Sequence, residues 1–445
     1  MRPVFDVAHF AANRARVLAH LPPGEGALIF GGPVVYRNAD SEHRYRAHSD
    51  VYYLSGWEDP DVAVLLRPGA DRPFILFVQP RDPEREVWDG VRPGPEGAMA
   101  TYGADGAFPI GELDKELPEL LLGVRALHYR FGVDAARDRQ VRRAIDGAHH
   151  KARKERFQDT PEAIVDPERL LHETRLIKSA SELALLRRAA AITAAAHAAA
   201  MAMTAPGVHE YELEAEIDRT FRALGGDGPG YPSIVGGGVN ATILHYHTNN
   251  APLPDGGLVC VDAGGEYGRY TADVTRTWPV NGRFSEAQAA LYGVVLEVQK
   301  ACIARCRPGI TWRELGDFAV RGLTEGMVRL GLLTGEVDAL IEQKSYKKFY
   351  MHGLGHWLGL DVHDVGAYIR GGQSRALEAG QVITIEPGLY VAQDADVPEA
   401  FRGLGVRIED DVLITEGEPE VLTAAIPKEM ADIEAAVGVA RAAAR

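Results

Sequence analysis

Two aspartates in residues 258–279 have the types and spacing to hold a metal ion. Two apolar, β-branched runs flank a short turn in this stretch, which is typical of a β-hairpin. With the turn centred between Tyr267 and Gly268, Asp262 and Asp273 would lie opposite one another. Like charges directly opposite each other destabilise a sheet. We therefore expect a cation between the two carboxylates, and a metal site is the simplest explanation.

Three later motifs supply further candidate ligands. His356 lies in HGLGHWLGLDVHD, Glu386 ends the apolar run VITIE, and Glu409 lies in the apolar stretch GVRIEDDVL. A carboxylate on an apolar strand must be paired or bind a metal, because burying it alone is costly. The two glycines between His352 and His356 disfavour a helix. This separates the segment from the helical HExxH zinc motif, which also needs Glu at its second position.

Together these residues form a five-donor set of four carboxylates and one imidazole: Asp262, Asp273, His356, Glu386 and Glu409. That much negative charge suits two divalent ions better than one. Oxygen ligands with one nitrogen favour Mn²⁺, with Co²⁺, Fe²⁺ or Zn²⁺ as substitutes. Two ions about 3.5–4 Å apart can share carboxylates and a hydroxide, which is a nucleophile for hydrolysis. A single Asp or Glu is more often a turn or ion-pair residue, but these donors recur at strand ends.

Length and composition restrict the remaining possibilities. A chain of 445 residues exceeds what one core usually supports, so we expect two domains. No apolar run reaches the ~20 residues needed to cross a bilayer, and the N-terminus lacks the apolar region of a signal peptide. Three cysteines give no disulfide framework, and a net charge of −15 argues against nucleic acid or anionic membrane as partner. We predict a cytoplasmic protein.

The elements of the first part predict a compact α/β unit. Residues 27–79 alternate strand-like runs (ALIF, VYYLSGW, VAVLL, FILFV) with turns, and helical patterns follow at 111–122 and 134–156, with a strand-like LHYRF between them. The basic residues of 134–156 alternate with acidic ones, which favours a solvated helix face over a nucleic-acid patch. A change of character near residue 173 predicts domains at 1–173 and 174–445.

The second part predicts a duplicated α+β unit. Ser179 and Glu182 have the spacing of a capping box that opens a long helix, ending near Met203. Further along, PGV at 206–208 recurs as PGI at 308–310, each followed by a leucine five residues later. Such a duplication, with a pseudo-twofold axis, would put a site between its halves.

The chain resembles the Xaa-Pro aminopeptidases (aminopeptidase P) of the creatinase/prolidase "pita-bread" metallopeptidase group over essentially its whole length. The resemblance lies in YRAHSDVYYLSGW, ILHYHTNN, VDAGGEYGRYTADVTRTWPVNGRF, HGLGHWLGLDVHDVG, ITIEPGLY and GVRIEDDVLIT. It implies an N-terminal creatinase-like α/β domain, for oligomerisation and active-site closure, and a C-terminal pita-bread catalytic domain. It also implies a homodimer or homotetramer.

The same resemblance implies roles for individual residues. Two Mn²⁺ ions per subunit would be held by the five-donor set, with Asp273 and Glu409 bridging. The remaining implied roles are contact with the substrate carbonyl and oxyanion (His245, His363), the proline pocket (His352), orientation of Asp262 (Tyr231, Arg407), and entry into a neighbouring subunit's active site (Trp88). It assigns no role to His247 or to the arginines near 369–374.

The implied reaction is release of the first residue from a peptide whose second residue is proline. Glu386 would accept a proton from the attacking hydroxide and pass it to the proline nitrogen. A prolidase, which cleaves only Xaa-Pro dipeptides, is the nearest alternative. A methionine aminopeptidase does not need the ~170-residue N-terminal domain. A metal-free binding protein would have lost ligands, and all five are present.

Overall fold

The computed structural model describes residues 5–155 and 159–439. The chain divides into two compact units, Met1–Thr174 and Arg175–Arg445. The last residue of the helix predicted at 134–156 lies outside the described residues. Mixed helices and strands in both units confirm the predicted α/β class.

The first unit is built on a six-stranded sheet in the order β6-β5-β4-β1-β7-β8. The strands of this unit are β1 (Glu25–Phe30), β2 (Tyr36–Asn38), β3 (Ser41–Glu42), β4 (Ala63–Leu66), β5 (Phe74–Val78), β6 (Gly106–Pro109), β7 (Ala126–His128) and β8 (Ala163–Val165). Strands β2 and β3 form a separate two-stranded sheet. Its helices are α1 (Val7–His20), α2 (Ser49–Ser55), α3 (Pro83–Asp89), α4 (Gly94–Tyr102), α5 (Leu113–Leu120) and α6 (Ala135–Glu155), and α7 (Glu168–Leu176) follows. The runs ALIF, VAVLL and FILFV lie in β1, β4 and β5, as predicted.

One predicted strand of this unit is wrong. The run VYYLS forms helix α2, which ends at Gly56 in the left-handed conformation, with φ of 71°. All seven residues of the helix are buried. A short helix that is buried on every side has no polar face, so its hydrophobic pattern cannot be told from that of a buried strand.

The second unit contains the elements that carry the predicted metal ligands. Its helices are α8 (Ala180–Met203), α9 (Glu210–Ala223), α10 (Glu286–Ile303), α11 (Trp312–Arg329), α12 (Val337–Glu342) and α13 (Met430–Ala436). Its strands are β9 (Gly228–Pro229), β10 (Ile234–Gly237), β11 (Leu258–Asp262), β12 (Gly265–Tyr267), β13 (Tyr270–Thr271), β14 (Thr275–Pro279), β15 (Ile369–Arg370), β16 (Gln373–Ser374), β17 (Val382–Ile385), β18 (Gly388–Tyr390), β19 (Gly405–Arg407), β20 (Asp410–Leu413) and β21 (Glu420–Val421). The capping box of Ser179 and Glu182 opens α8, as predicted.

Repeated backbone hydrogen bonds confirm the duplication. Gly207 N donates to Leu253 O, and Gly309 N donates to Leu377 O in the other half. Each half then contains a three-stranded sheet, β10-β11-β14 in one half and β17-β20-β21 in the other, and α9 packs against the first sheet as α10 packs against the second. The acceptors Leu253 and Leu377 are 124 residues apart. The same spacing separates Asp262 from Glu386, so these two ligands hold equivalent places at the ends of β11 and β17.

The register predicted for the hairpin is wrong. Asp262 pairs with Thr275, so the turn is centred between Gly268 and Arg269, one residue later than predicted. Both turn residues have positive φ, 58° and 72°, as a type I′ turn requires. Gly268 belongs to a two-residue turn in either register, and the sequence alone does not decide whether the other turn residue is Tyr267 or Arg269. Asp262 and Asp273 are therefore not a directly opposed pair.

None of the helices in the described part of the chain is long and apolar enough to cross a membrane.

Gly264 is predicted to be indispensable for the hairpin. A Cβ atom at this position would lie 1.8 Å from the carbonyl oxygen of Ala272, and the backbone would have to move. We expect Gly264→Ala to lower the free energy of unfolding by about 3 kcal/mol or more, as overpacking does. Gly293→Ala is the control, because a Cβ there meets no atom within 4 Å. Equal denaturant midpoints for the two variants would contradict the close approach.

Candidate metal centre and active site

The predicted ligands line one cavity of about 440 Å³ in the second unit. Ten of the eleven residues singled out from the sequence contribute to its wall: Tyr231, His245, Asp262, Asp273, His352, His356, His363, Glu386, Arg407 and Glu409. The eleventh, Trp88, lies on α3 of the first unit, where 84% of its surface is exposed.

Three of the predicted ligands lie close enough to one another to hold a metal ion. One donor atom from each of Asp273, His356 and Glu409 lies within 4.8 Å of the other two. His356 Nε2 is 3.3 Å from Asp273 Oδ2 and 3.8 Å from Glu386 Oε1. His356 Nδ1 lies 3.0 Å from the carbonyl oxygen of Trp357, which must accept a hydrogen bond from it. This bond fixes the ring with Nε2 toward the carboxylates, as is usual for a histidine ligand.

The cavity concentrates negative charge that the protein alone does not neutralise. Burial raises the pKa of Glu386 to about 7. Burial, followed by the charge of Asp273, raises the pKa of Glu409 well above its usual value, and burial also raises that of Asp273. Burial by itself would lower the pKa of His356, but the hydrogen bond to Asp273 and the nearby carboxylates raise it to about 9. In the absence of metal the site therefore favours bound protons, and divalent cations fit the same donors.

Neutral and cationic side chains around the cavity donate hydrogen bonds to the carboxylates. The Tyr231 hydroxyl lies 2.7 Å from Asp262 Oδ1 and 2.5 Å from Asp273 Oδ1. Arg407 Nη2 donates to Asp262 Oδ2 at 2.7 Å, and its Nε donates to Thr275 Oγ1 at 2.9 Å. Thr275 in turn donates to Glu409 Oε2 at 2.7 Å. The guanidinium thus fixes Asp262 directly and Glu409 through one hydroxyl.

Sequence reasoning missed a further group of supporting residues. Both carboxylate oxygens of Asp411 accept from Asp273 N, at 3.2 and 3.3 Å. Arg276 donates to the backbone oxygen of Glu409 at 2.6 Å and to Asp410 Oδ1 at 2.7 Å. The signal that singled out Glu409, a carboxylate within an apolar strand, applies equally to Asp410 and Asp411. Apolar side chains of the cavity wall, such as Leu244 and Val362, were also not predicted.

The remaining histidines of the cavity lie beside the predicted ligands. Burial lowers the pKa of His363, whose ring centroid is 4.3 Å from that of His356. Burial also lowers the pKa of His352 to about 4. His352 Nδ1 donates to Gly353 O, so its Nε2 accepts from the Tyr390 hydroxyl at 2.9 Å. His245 and His247 lie nearly parallel in the cavity wall, with centroids 6.3 Å apart.

Comparison with known proteins identifies both units. Residues 184–416 match metallopeptidase family M24, and residues 10–128 match the N-terminal domain of aminopeptidase P. The chain belongs to metallopeptidase family M24. All ten cavity residues named above lie within the M24 match.

Three similar proteins agree with this assignment over nearly the whole chain. Xaa-Pro aminopeptidase of Escherichia coli is 44% identical over 436 residues, 97% of this chain and 98% of the relative. The structure of aminopeptidase PepP from Pseudomonas aeruginosa matches with a TM-score of 0.95 and 45% identity, over 99% of this chain and 100% of that one. Zinc-substituted E. coli aminopeptidase P in complex with product has a TM-score of 0.94 and 43% identity, over 98% and 99%.

Tyr231→Phe tests the support of the M24 site. We expect it to weaken metal binding by about 10–100-fold, as loss of a group that orients ligands does, because the hydroxyl contacts two of the carboxylates. Tyr292→Phe is the control, since that hydroxyl donates to the backbone oxygen of Lys428 at 2.7 Å and to none of the five predicted ligands. Metal dissociation constants can be measured by calorimetry. Equal weakening of metal binding in the two variants would contradict this role for Tyr231.

Proposed function

We propose that this protein is an Xaa-Pro aminopeptidase. It would release the N-terminal residue from peptides with proline at the second position. The observation that carries the proposal is the cavity in which four carboxylates and His356 converge beside two further neutral histidines, His352 and His363. The E. coli relative named for this activity aligns with this chain over 98% of the relative's length.

The proposed cofactor is a pair of Mn²⁺ ions held by the five-donor set. Asp273 and Glu409 are proposed as ligands that both ions would share, as the family resemblance implies, and donor atoms of these two residues and of His356 lie within 4.8 Å of one another. Oxygen-rich donors with one imidazole suit Mn²⁺, and Co²⁺, Fe²⁺ or Zn²⁺ could replace it. When bound, two such ions supply Lewis acidity and an activated water for attack on a carbonyl.

The side chains of the cavity would then complete the reaction. Glu386 is proposed to accept a proton from the attacking water and pass it to the proline nitrogen. His363 and His245 are proposed to donate hydrogen bonds to the carbonyl oxygen as it becomes negative. The neutral His363 keeps an N–H for that bond without adding a cation beside the metals.

Recognition of proline follows from its missing N–H. A peptidase that needs a hydrogen bond from the N–H of the second residue cannot recognise a bond to the proline nitrogen. The proline ring itself must therefore be recognised. We propose that His352, held by the Tyr390 hydroxyl and Gly353 O, forms part of the ring pocket. A cytoplasmic location belongs to the proposal as well, because all three cysteines are free and buried.

The decisive assay compares three peptides with the Mn²⁺-loaded protein: Xaa-Pro-Yaa, the dipeptide Xaa-Pro, and Xaa-Ala-Yaa. We expect cleavage of the first, with loss of activity in a chelator and recovery on adding metal. Glu409→Gln, which removes a proposed bridging charge, should abolish most activity while the protein remains folded. Cleavage of the dipeptide alone would identify a prolidase, and equal cleavage of Xaa-Ala-Yaa would contradict proline specificity.

His363→Ala is expected to lower kcat more than it raises KM, because the proposed hydrogen bond forms mainly in the transition state. Loss of one oxyanion donor typically costs about 10²–10³ in rate. His150→Ala, on helix α6 of the first unit, is a control for loss of an imidazole elsewhere. Steady-state kinetics that give a change in KM alone would make His363 a residue for substrate binding.

Trp88 supports the proposal of a homodimer or homotetramer in which α3 completes a neighbouring active site. Its neighbours Val87 and Val91 are also exposed, at 82% and 77%, so three apolar side chains of one short segment face solvent. Burying a large apolar side chain stabilises a protein by about 1.5–3 kcal/mol. The three exposed side chains do not gain this stabilisation in a single chain. A second copy would cover them.

A mixing experiment tests this arrangement. Trp88→Ala should impair tripeptide cleavage more than metal binding, and Asp262→Ala should remove the metal site. Combined, the two inactive variants should recover part of the activity through hybrid sites with Trp88 of one chain and metals of the other. A fully active monomer, or no recovery despite proven subunit exchange, would contradict the proposal.

A further inference from the structure

The two-residue segment Val362-His363 lies in the cavity wall between two aspartates. Both aspartates are tied to Arg175, in the last turn of α7. Arg175 Nη2 is 2.8 Å from Asp361 Oδ2 and 2.6 Å from Asp364 Oδ1. The guanidinium of Arg175 therefore pairs with the residue immediately before and the residue immediately after the two cavity residues.

A second cation completes this contact. Lys178 Nζ donates to Asp364 Oδ2 at 3.0 Å. The side chains of Arg175, Lys178 and Asp364 are all at least 97% buried, whereas that of Asp361 is 36% exposed. Burial alone would raise the pKa of Asp364, but the charges of Arg175 and Lys178 lower it below its usual value.

The surrounding loop is shaped to admit these ion pairs. Asp364 N donates to Trp357 O at 2.9 Å, which closes a loop that begins directly after His356. A Cβ on Gly359, inside this loop, would lie 2.1 Å from Asp364 Oδ2 and 3.0 Å from Lys178 Cε. Only glycine leaves the aspartate and the lysine room to meet there.

We propose that Arg175 and Lys178 are positioning residues for the active site: through Asp361 and Asp364 they hold His363 in place in the cavity. We call these four residues the loop clamp. The proposal rests on the proposed function of His363, because the clamp acts only through the segment that carries it.

The location of the clamp favours positioning over stability alone. A buried ion pair costs desolvation and is often replaceable by apolar residues without loss of stability. Here all the charges meet at the two ends of one short cavity segment, although Arg175 and Lys178 come from a part of the chain more than 180 residues away. A misplacement of about 1 Å in an active site can cost about 10²-fold in rate.

Asp361→Asn is the primary test, because its half-exposed side chain can be changed without leaving a fully buried charge unpaired. We expect kcat for an Xaa-Pro-Yaa peptide to fall about 10-fold or more, with KM and metal content nearly unchanged. In a His363→Ala background the same substitution should change kcat less than about twofold, because it acts through a side chain that is no longer present. Asp338→Asn, which removes an exposed partner of Arg321, is the control.

Equal loss of kcat in both backgrounds would overturn the proposal, since a general structural defect would act with or without His363. An unchanged kcat in the wild-type background would overturn it as well. The imidazole NMR signal of His363, assigned by its absence in His363→Ala, gives a readout that does not depend on activity. It should shift or broaden in Asp361→Asn and stay unchanged in Asp338→Asn. If the wild-type chain cleaves no Xaa-Pro peptide, the proposed function fails, and an unchanged His363 signal would then refute the clamp separately.

Discussion

Repulsion among buried carboxylates is the constraint on which the catalytic unit depends. Asp273, Glu386 and Glu409 approach one another inside a cavity where burial disfavours charge, and the pKa of each is raised. A protein that only needed stability would place apolar residues there. Divalent cations in place of the protons would remove this repulsion, which is what the proposed function requires.

The duplicated fold is what brings the charges together. Asp262 and Glu386 end equivalent strands of the two halves, 124 residues apart, and His356 Nε2 points toward the carboxylates between them. Around them lies a shell of donors that connects both halves. Arg407 is central to this shell, because it contacts Asp262 directly and Thr275 on the way to Glu409. Three of the predicted metal ligands, Asp262, Asp273 and Glu409, therefore belong to one hydrogen-bonded network with their supporting side chains.

The sequence was sufficient to predict residues that line one cavity and insufficient to predict their geometry. Carboxylates at the ends of apolar runs are visible in the sequence, because a buried charge needs a partner wherever the strand lies. The register of the hairpin is not visible in the sequence, because it depends on the positive φ of Arg269, which only the folded turn reveals. Thr275 and Arg175 act through contacts more than 130 residues distant, and an ordinary threonine or arginine gives no local sign of such contacts.

The most direct test of this account is the free energy of unfolding of the metal-free protein between pH 5 and pH 7. Glu386 has a pKa of about 7 in the folded chain, above the value of about 4.3 expected when unfolded. Glu386 therefore keeps a proton in the folded state across this interval, and its own contribution to stability, measured as the difference between the wild type and Glu386→Gln, should fall as pH rises. Saturating Mn²⁺ should replace that proton and remove or reverse the decline. A difference between the wild type and Glu386→Gln that rises with pH over this interval, in a protein that gains no stability from Mn²⁺ at pH 7, would contradict the account.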